Sequence, residues 1–252
     1  MKLPGTIVPP RTPFTHELRV DYDALKVIVD YVVEQCQASM VVAAGVEAQE
    51  YQYLSFDDRK ELIRKTIEAV DGRRPVAVGV SHPSYRIAVE LAQLAEKHGA
   101  SAIQVLAPQK PTGGAPTTTE LVRYFELIGR ETSLPIILYL NPGPGFDVSV
   151  PATVELSKLD RIKYIKESSR DLARVGRLIT EIELAGHARY FTTLQMLLIT
   201  LQLGGSGITL PPPAAELAYY IIMRLARLIE RPNYNSSSLY FPHDGWNSAL
   251  LR

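Results

Sequence analysis

Cysteine is nearly absent from the chain: Cys36 is the single one in 252 residues. A disulfide framework within the chain is thereby excluded, and a reducing, cytoplasmic setting is the natural expectation. Charge of one sign is also lacking, since 27 Lys and Arg balance 27 Asp and Glu. Nucleic acid or an anionic membrane surface would call for a basic surplus, so neither is an expected partner. Long apolar runs are missing too. The nearest approach, AYYIIMRLARLIE, is interrupted by arginines, and nothing reaches the ~18 apolar residues of a spanning helix. The opening MKLPGTIVPP lacks the apolar core of a secretory leader. No glycine fingerprint follows the first strand-like run, which argues against a dinucleotide-binding open sheet. His16, His82, His98, His187 and His243 are scattered without metal-ligand spacing.

What is present is an ordinary globular composition, 46% hydrophobic and 21% charged, arranged in a strict rhythm. Eight short apolar runs read as strands: GTIVPP, SMVVAAG, RPVAVGV, SAIQVLAP, LPIILYL, IKYIK, ARYFTT and GSGITL. They are continuous rather than alternating, as expected of strands covered on both faces. Each is followed by a segment with apolar residues at helical spacing, from YDALKVIVDYVVEQ to AAELAYYIIMRLARLIE. Ser55 with Asp58 resembles a capping box, Ser84 and Thr117 are in place to cap the next helices, and Lys97-His98-Gly99 makes a helix end. Cys36 falls in a helical pattern and reads as a small core residue. Eight strand–helix pairs predict an α/β fold, a (β/α)8 TIM barrel over residues 1–230. A doubly wound open sheet is the alternative. The turn-rich residues 231–252 predict a short irregular C-terminal tail, separate or part of the same domain. GGAPTTTE resembles a phosphate loop only superficially, since the GK[ST] ending is missing.

In such a barrel the chemistry sits where strands end at their C-terminal side. The sixth strand, in RIKYIKESSRD, ends on Lys166. An amine partly withdrawn from water there favours its neutral, nucleophilic form and can attack a carbonyl to give a Schiff base. By position alone it reads equally as a lysine snorkelling to solvent or pairing with Glu167. Tyr139, next to last on the fifth strand, can present a phenol to the same mouth and relay protons, or can be a core tyrosine.

Four stretches in order carry a resemblance: TPF at Thr12–Phe14, ILYLNP at Ile137–Pro142, IKYIKESS at Ile162–Ser169, and LGGSGI at Leu203–Ile208. The chain resembles the dihydrodipicolinate synthase/N-acetylneuraminate lyase family of class I aldolase-type lyases. The similarity runs from about Gly5 to Leu228. It implies a homo-oligomer, a tetramer or a dimer, and a small-molecule 2-oxo acid substrate, commonly pyruvate. It implies Lys166 as the Schiff-base lysine and Tyr139 as the proton-relay phenol, with no metal and no organic cofactor.

Several positions depart from the family. Its Gly-Thr-Thr-Gly-Glu after the second strand holds the substrate carboxylate, and one threonine extends the tyrosine relay. Here the stretch is GVEAQE, Gly45 to Glu50, with Gly45, Glu47, Ala48 and Gln49 as the candidate substrate-binding residues. Gln49 can donate in place of a hydroxyl, while Glu47 would repel a carboxylate if turned inward and is a loop charge if turned outward. The synthases' tyrosine after strand four is replaced in LAPQKPTGG by Ala107, Pro108 and Gln109, and their arginine beyond strand five is missing from NPGPG. Lys110 can supply some of that charge or stay a solvated loop lysine. Thr192, Thr193 and Thr209, at the ends of strands seven and eight, are further candidates for substrate contact or for bonds to local backbone. The family's C-terminal helices are longer than anything after Glu230. The expected function is a Schiff-base-forming lyase or aldolase acting on a 2-oxo acid, of pyruvate or sugar-acid type. The alternative is a non-catalytic or repurposed barrel that binds a small metabolite or a partner protein.

Overall fold

A computed structural model describes residues 5–46, 51–110 and 114–229. The eight strands are β1 (Gly5–Val8), β2 (Met40–Ala43), β3 (Val76–Gly79), β4 (Ala102–Leu106), β5 (Ile136–Leu140), β6 (Ile162–Glu167), β7 (Arg189–Thr192) and β8 (Gly207–Thr209). All pair in parallel with their sequence neighbours, and β1 pairs with β8, so the sheet closes into the predicted barrel. Around it lie α1 (Tyr22–Glu34), α2 (Phe56–Val70), α3 (Tyr85–Lys97), α4 (Thr118–Arg130), α5 (Val150–Ser157), α6 (Leu172–Leu178), α7 (Leu197–Gln202) and α8 (Pro212–Ile229). Closure removes every sheet edge, and a helix after each strand covers the outer face.

The apolar runs separate into two packed layers because successive strand side chains point to opposite faces. Val8, Val41, Ile103, Leu138 and Ile165 join the helices in the outer core. Ile7, Val42, Ala77, Ala102, Ile137 and Phe191 fill the barrel interior, with Met40 and Tyr164 packed against them. The lower barrel is thus a packed core. The Phe191 ring occupies room that Gly5 leaves: a Cβ there would meet it at 2.9 Å.

Local signals account for most boundaries. Ser55 caps α2, its hydroxyl accepting from the Asp58 N–H. Thr117 and Glu120 form a reciprocal capping box on α4. α3 ends at Lys97, with Gly99 at φ 81° just beyond. Ser84 departs from expectation: it precedes α3, but its side chain makes no cap bond, and its N–H instead donates to His82 Nδ1 at 2.9 Å. The predicted helix DLARVGRLITEIEL divides into α6 and a π-helical turn over Ile179–Glu183. Cys36 is fully buried, its thiol pushed up to about 11 by that burial, as expected of an inert core residue. No described helix is long and apolar enough to cross a membrane. The predicted tail, 231–252, lies outside the described residues.

Candidate active site

Lys166 and Tyr139 are ladder partners on adjacent strands. Two residues before each, Tyr164 and Ile137 belong to the interior layer, so strand alternation puts both side chains on the inner side, one level nearer the C-terminal mouth. Lys166 Nζ lies over the Tyr139 ring, 3.5 Å from its centroid. Lys166 is 5% exposed and Tyr139 1%. The lysine therefore does not snorkel to bulk water. Tyr139 packs with Val46 and Leu106 above the interior core, and its phenolic oxygen accepts from Asn141 Nδ2 at 2.9 Å.

Glu167, the sequence's other candidate partner for the lysine, faces the opposite way. Its carboxylate accepts from the Ser169 N–H at 3.0 Å and from the Tyr190 hydroxyl at 3.1 Å, and pairs with Arg174 Nε at 3.3 Å. Arg174 also donates to the Val148 carbonyl. This cluster ties the end of β6 to α6 and to the loop before α5, and so fixes the backbone that carries Lys166. Glu167→Ala is expected to cost about 2–4 kcal/mol in urea unfolding, because it strands the Tyr190 hydroxyl and an Arg174 that is mostly buried. Burial raises the Glu167 pKa, outweighing Arg174, the Ser169 N–H and the Tyr190 hydroxyl, which pull it down. A carboxyl raised on folding binds its proton more tightly in the native state. Its contribution is fully present below the ordinary value of 4.5 and is lost as pH rises through the raised native value. In Glu167→Gln that decline should vanish, so wild-type minus variant stability should fall as pH rises from 4.5 toward the raised native value and level off above it. A difference that stays flat with pH would contradict the assignment.

The remaining candidates separate. Gly45 is buried where its loop crosses Pro9 and Val42: a Cβ there would sit 3.3 Å from each. Glu47, Ala48 and Gln49 lie outside the described residues. Thr209, 6% exposed, pairs with the interior Ile7, and its hydroxyl has no hydrogen-bond partner among the described residues. Thr193 and Thr12 likewise hold buried hydroxyls without partners. The Thr192 hydroxyl is also buried without a partner among the described residues, but it lies on the other face. Phe191, its predecessor, pairs with Lys166 and fills the interior, whereas Tyr190 belongs to the outer core. Alternation thus turns Thr192 toward the helices, away from the lysine.

Two residues escaped the sequence analysis. Asn141 is one; its signal is the two-residue spacing from Tyr139. Arg59 is the other, and its signal is a charged residue on the apolar stripe that continues through Leu62, Ile63 and Thr66. Arg59 is buried, donates to the Gly79 carbonyl at 2.8 Å and to that of Ser81 at 3.3 Å, and stacks on Tyr51 at 4.2 Å. Burial pulls its guanidinium down to about 10. It borders a cavity of ≈ 630 Å³ lined by Tyr51, Ser81, His82, Leu106 and Lys110 among others. Leu106 is shared with the cluster around Tyr139, so the cavity lies beside the lysine's site. Lys110, a candidate charge, pairs with Glu120 at 3.0 Å.

Comparison with known proteins gives the family and the fold. The model of the dihydrodipicolinate synthetase family matches residues 2–210. A 4-hydroxy-tetrahydrodipicolinate synthase of Bacillus velezensis is 31% identical over 171 residues, 68% of this chain and 57% of that one. The matches to it and to two similarly named relatives span 57–62% of those proteins' length. Among solved structures, a chloride-inhibited dihydrodipicolinate synthase from Acinetobacter baumannii, complexed with pyruvate, superposes with a TM-score of 0.79 at 26% identity, covering 94% of this chain and 79% of that one. An N-acetylneuraminate lyase from Mycoplasma synoviae shares the fold, with a TM-score of 0.76 at 21% identity over 90% of this chain and 75% of that one.

Proposed function

The chain belongs to the dihydrodipicolinate synthetase family, and from that premise we propose that it is a Schiff-base lyase acting on a 2-oxo acid. One observation carries the reading: a lysine amine withdrawn from bulk water at the mouth of a closed barrel, lying over the ring of a tyrosine on the neighbouring strand. Attack requires the neutral amine, and withdrawal from water eases loss of the ammonium's proton against the pull of the ring beneath it. In the proposed sequence the amine of Lys166 forms a bond to the C2 carbonyl carbon. The carbonyl oxygen takes up protons and leaves as water, giving an iminium. The iminium draws electrons from the bond at C3. An aldol-type substrate then breaks its C3–C4 bond as the C4 hydroxyl loses a proton, and the electron pair stays as an enamine. Protonation at C3 and hydrolysis release the 2-oxo acid and free the amine. Tyr139 moves protons in these steps.

A relative crystallised with pyruvate supports a small 2-oxo acid as the first substrate, and the Thr209 hydroxyl, without a partner among the described residues, supports a polar contact to it. Borohydride reduction with a panel of 2-oxo acids, read by intact mass, tests the proposal: one reduced adduct per chain is expected with at least one acid. A second reading, a barrel that binds a metabolite without chemistry, is favoured by Val46, which sets an apolar side chain against Tyr139 where the family has a hydroxyl. A folded chain that forms no adduct with any acid would support this reading instead.

A further inference from the structure

Tyr139 packs with Val46, just after β2, and its oxygen has a donor on its own strand. Val46 packs with the tyrosine, so no threonine hydroxyl stands at that position. Asn141, two residues on, donates from Nδ2 to the phenolic oxygen at 2.9 Å. The amide orientation is fixed from the other end. The Gly143 N–H donates to Asn141 Oδ1 at 3.1 Å, which makes that atom the oxygen and leaves the NH2 group facing the phenol. The turn that holds the amide is itself clamped. The Gly145 N–H donates to the Asn141 carbonyl at 2.9 Å, and the Phe146 N–H to the Ala107 carbonyl at 3.2 Å. A Cβ at Gly145 would lie 2.8 Å from the Ala107 oxygen and 2.9 Å from that of Asn141, so only glycine lets the chain return so closely over β4. Gln109 Nε2 donates to the Gly145 carbonyl from the same side.

From this arrangement we propose that Asn141 is a positioning residue for Tyr139: its locked carboxamide keeps a hydrogen-bond donor on the phenolic oxygen and favours the phenolate that accepts a proton from the bound 2-oxo acid. The inference rests on the reading of Tyr139 as the proton relay. A donor held on an oxygen stabilises its charged form more than its neutral form. The removal of a C3 proton from the iminium calls for the charged form, and the proton passes from C3 to the phenolate oxygen while the C–H electron pair forms the enamine. Asn141 thus acts on the phenol from β5, through a turn of this chain's own sequence NPGPG.

Exchange of the methyl protons of pyruvate into D2O, followed by NMR across pH, isolates the step without the second substrate. Asn141→Asp keeps an oxygen to accept from Gly143 and so preserves the turn, but it presents a second oxygen to the phenol instead of a donor. Asn141→Leu removes donor and acceptor together. Both variants are expected to form the borohydride-trapped adduct. Both should also exchange at least about tenfold more slowly at pH 7, with the rising limb of the pH–rate profile moved up by about one unit or more. An Asn141→Asp variant with the wild-type profile would overturn the proposal, since the turn would then be all that Asn141 supplies. Tyr139→Phe, run in parallel, separates the two claims. Wild-type exchange in Tyr139→Phe would remove the relay itself, and the role of Asn141 with it. Loss of exchange in Tyr139→Phe with Asn141→Asp unaffected would overturn only the role of Asn141.

Discussion

Lys166→Ala is expected to lose covalent capture of 2-oxo acids altogether and to lower turnover by at least about 10⁴-fold, because the nucleophile is what divides the difficult bond cleavage into easier steps. Lys166→Arg sharpens the test. A guanidinium can keep a cation over the Tyr139 ring and so preserve the packing of the mouth, but it stays protonated and forms no imine. Arginine is therefore expected to match alanine in inactivity while folding as well as the wild type. Proton exchange of pyruvate in D2O measures both variants without knowledge of the natural substrate. Exchange at the wild-type rate in Lys166→Ala would show that the amine is not the covalent handle.

Tyr139→Phe should show the complementary pattern. The ring under Lys166 Nζ remains, as does its packing with Val46 and Leu106, so the amine keeps its surroundings and the adduct should still be trapped. Only the hydroxyl is lost. If it carries the protons, exchange and turnover are expected to fall by about 10²–10⁴-fold, with a stability loss on the order of 1 kcal/mol for the Asn141 donor left without its acceptor. A variant that loses adduct and turnover equally would instead mean that the phenol acts in forming the imine.

The barrel was legible because the signal repeats. Eight apolar runs too short for helices, each followed by an amphipathic segment, leave little else to build. The placement of Lys166 and Tyr139 at the mouth was legible for a related reason: each stands at the C-terminal end of its strand. Thr192 shows where such reasoning stops. A strand end gives the height of a residue in the barrel but not its face, and the face follows from pairing register. Once Phe191 pairs with Lys166, Thr192 must turn toward the helices, where Tyr190 already reaches Glu167. Ser84 fell short of expectation: it occupies the N-cap position of α3, but its side chain makes no cap bond. Asn141 was invisible because its meaning lies in a turn, where a side-chain amide bonds its own backbone two residues on. Arg59 stood in plain view on the buried stripe of α2, where an unexplained charge among apolar residues signals a partner; here the partners are backbone carbonyls at the end of β3.

The account depends most on the amine of Lys166 bonding a ketone, and peptide mapping of the protein reduced with borohydride in the presence of pyruvate tests that most directly. The mass increment is expected on the peptide that contains Lys166, and to be lost in Lys166→Arg. An increment on a different lysine, or none on a folded protein at saturating 2-oxo acid, would contradict it.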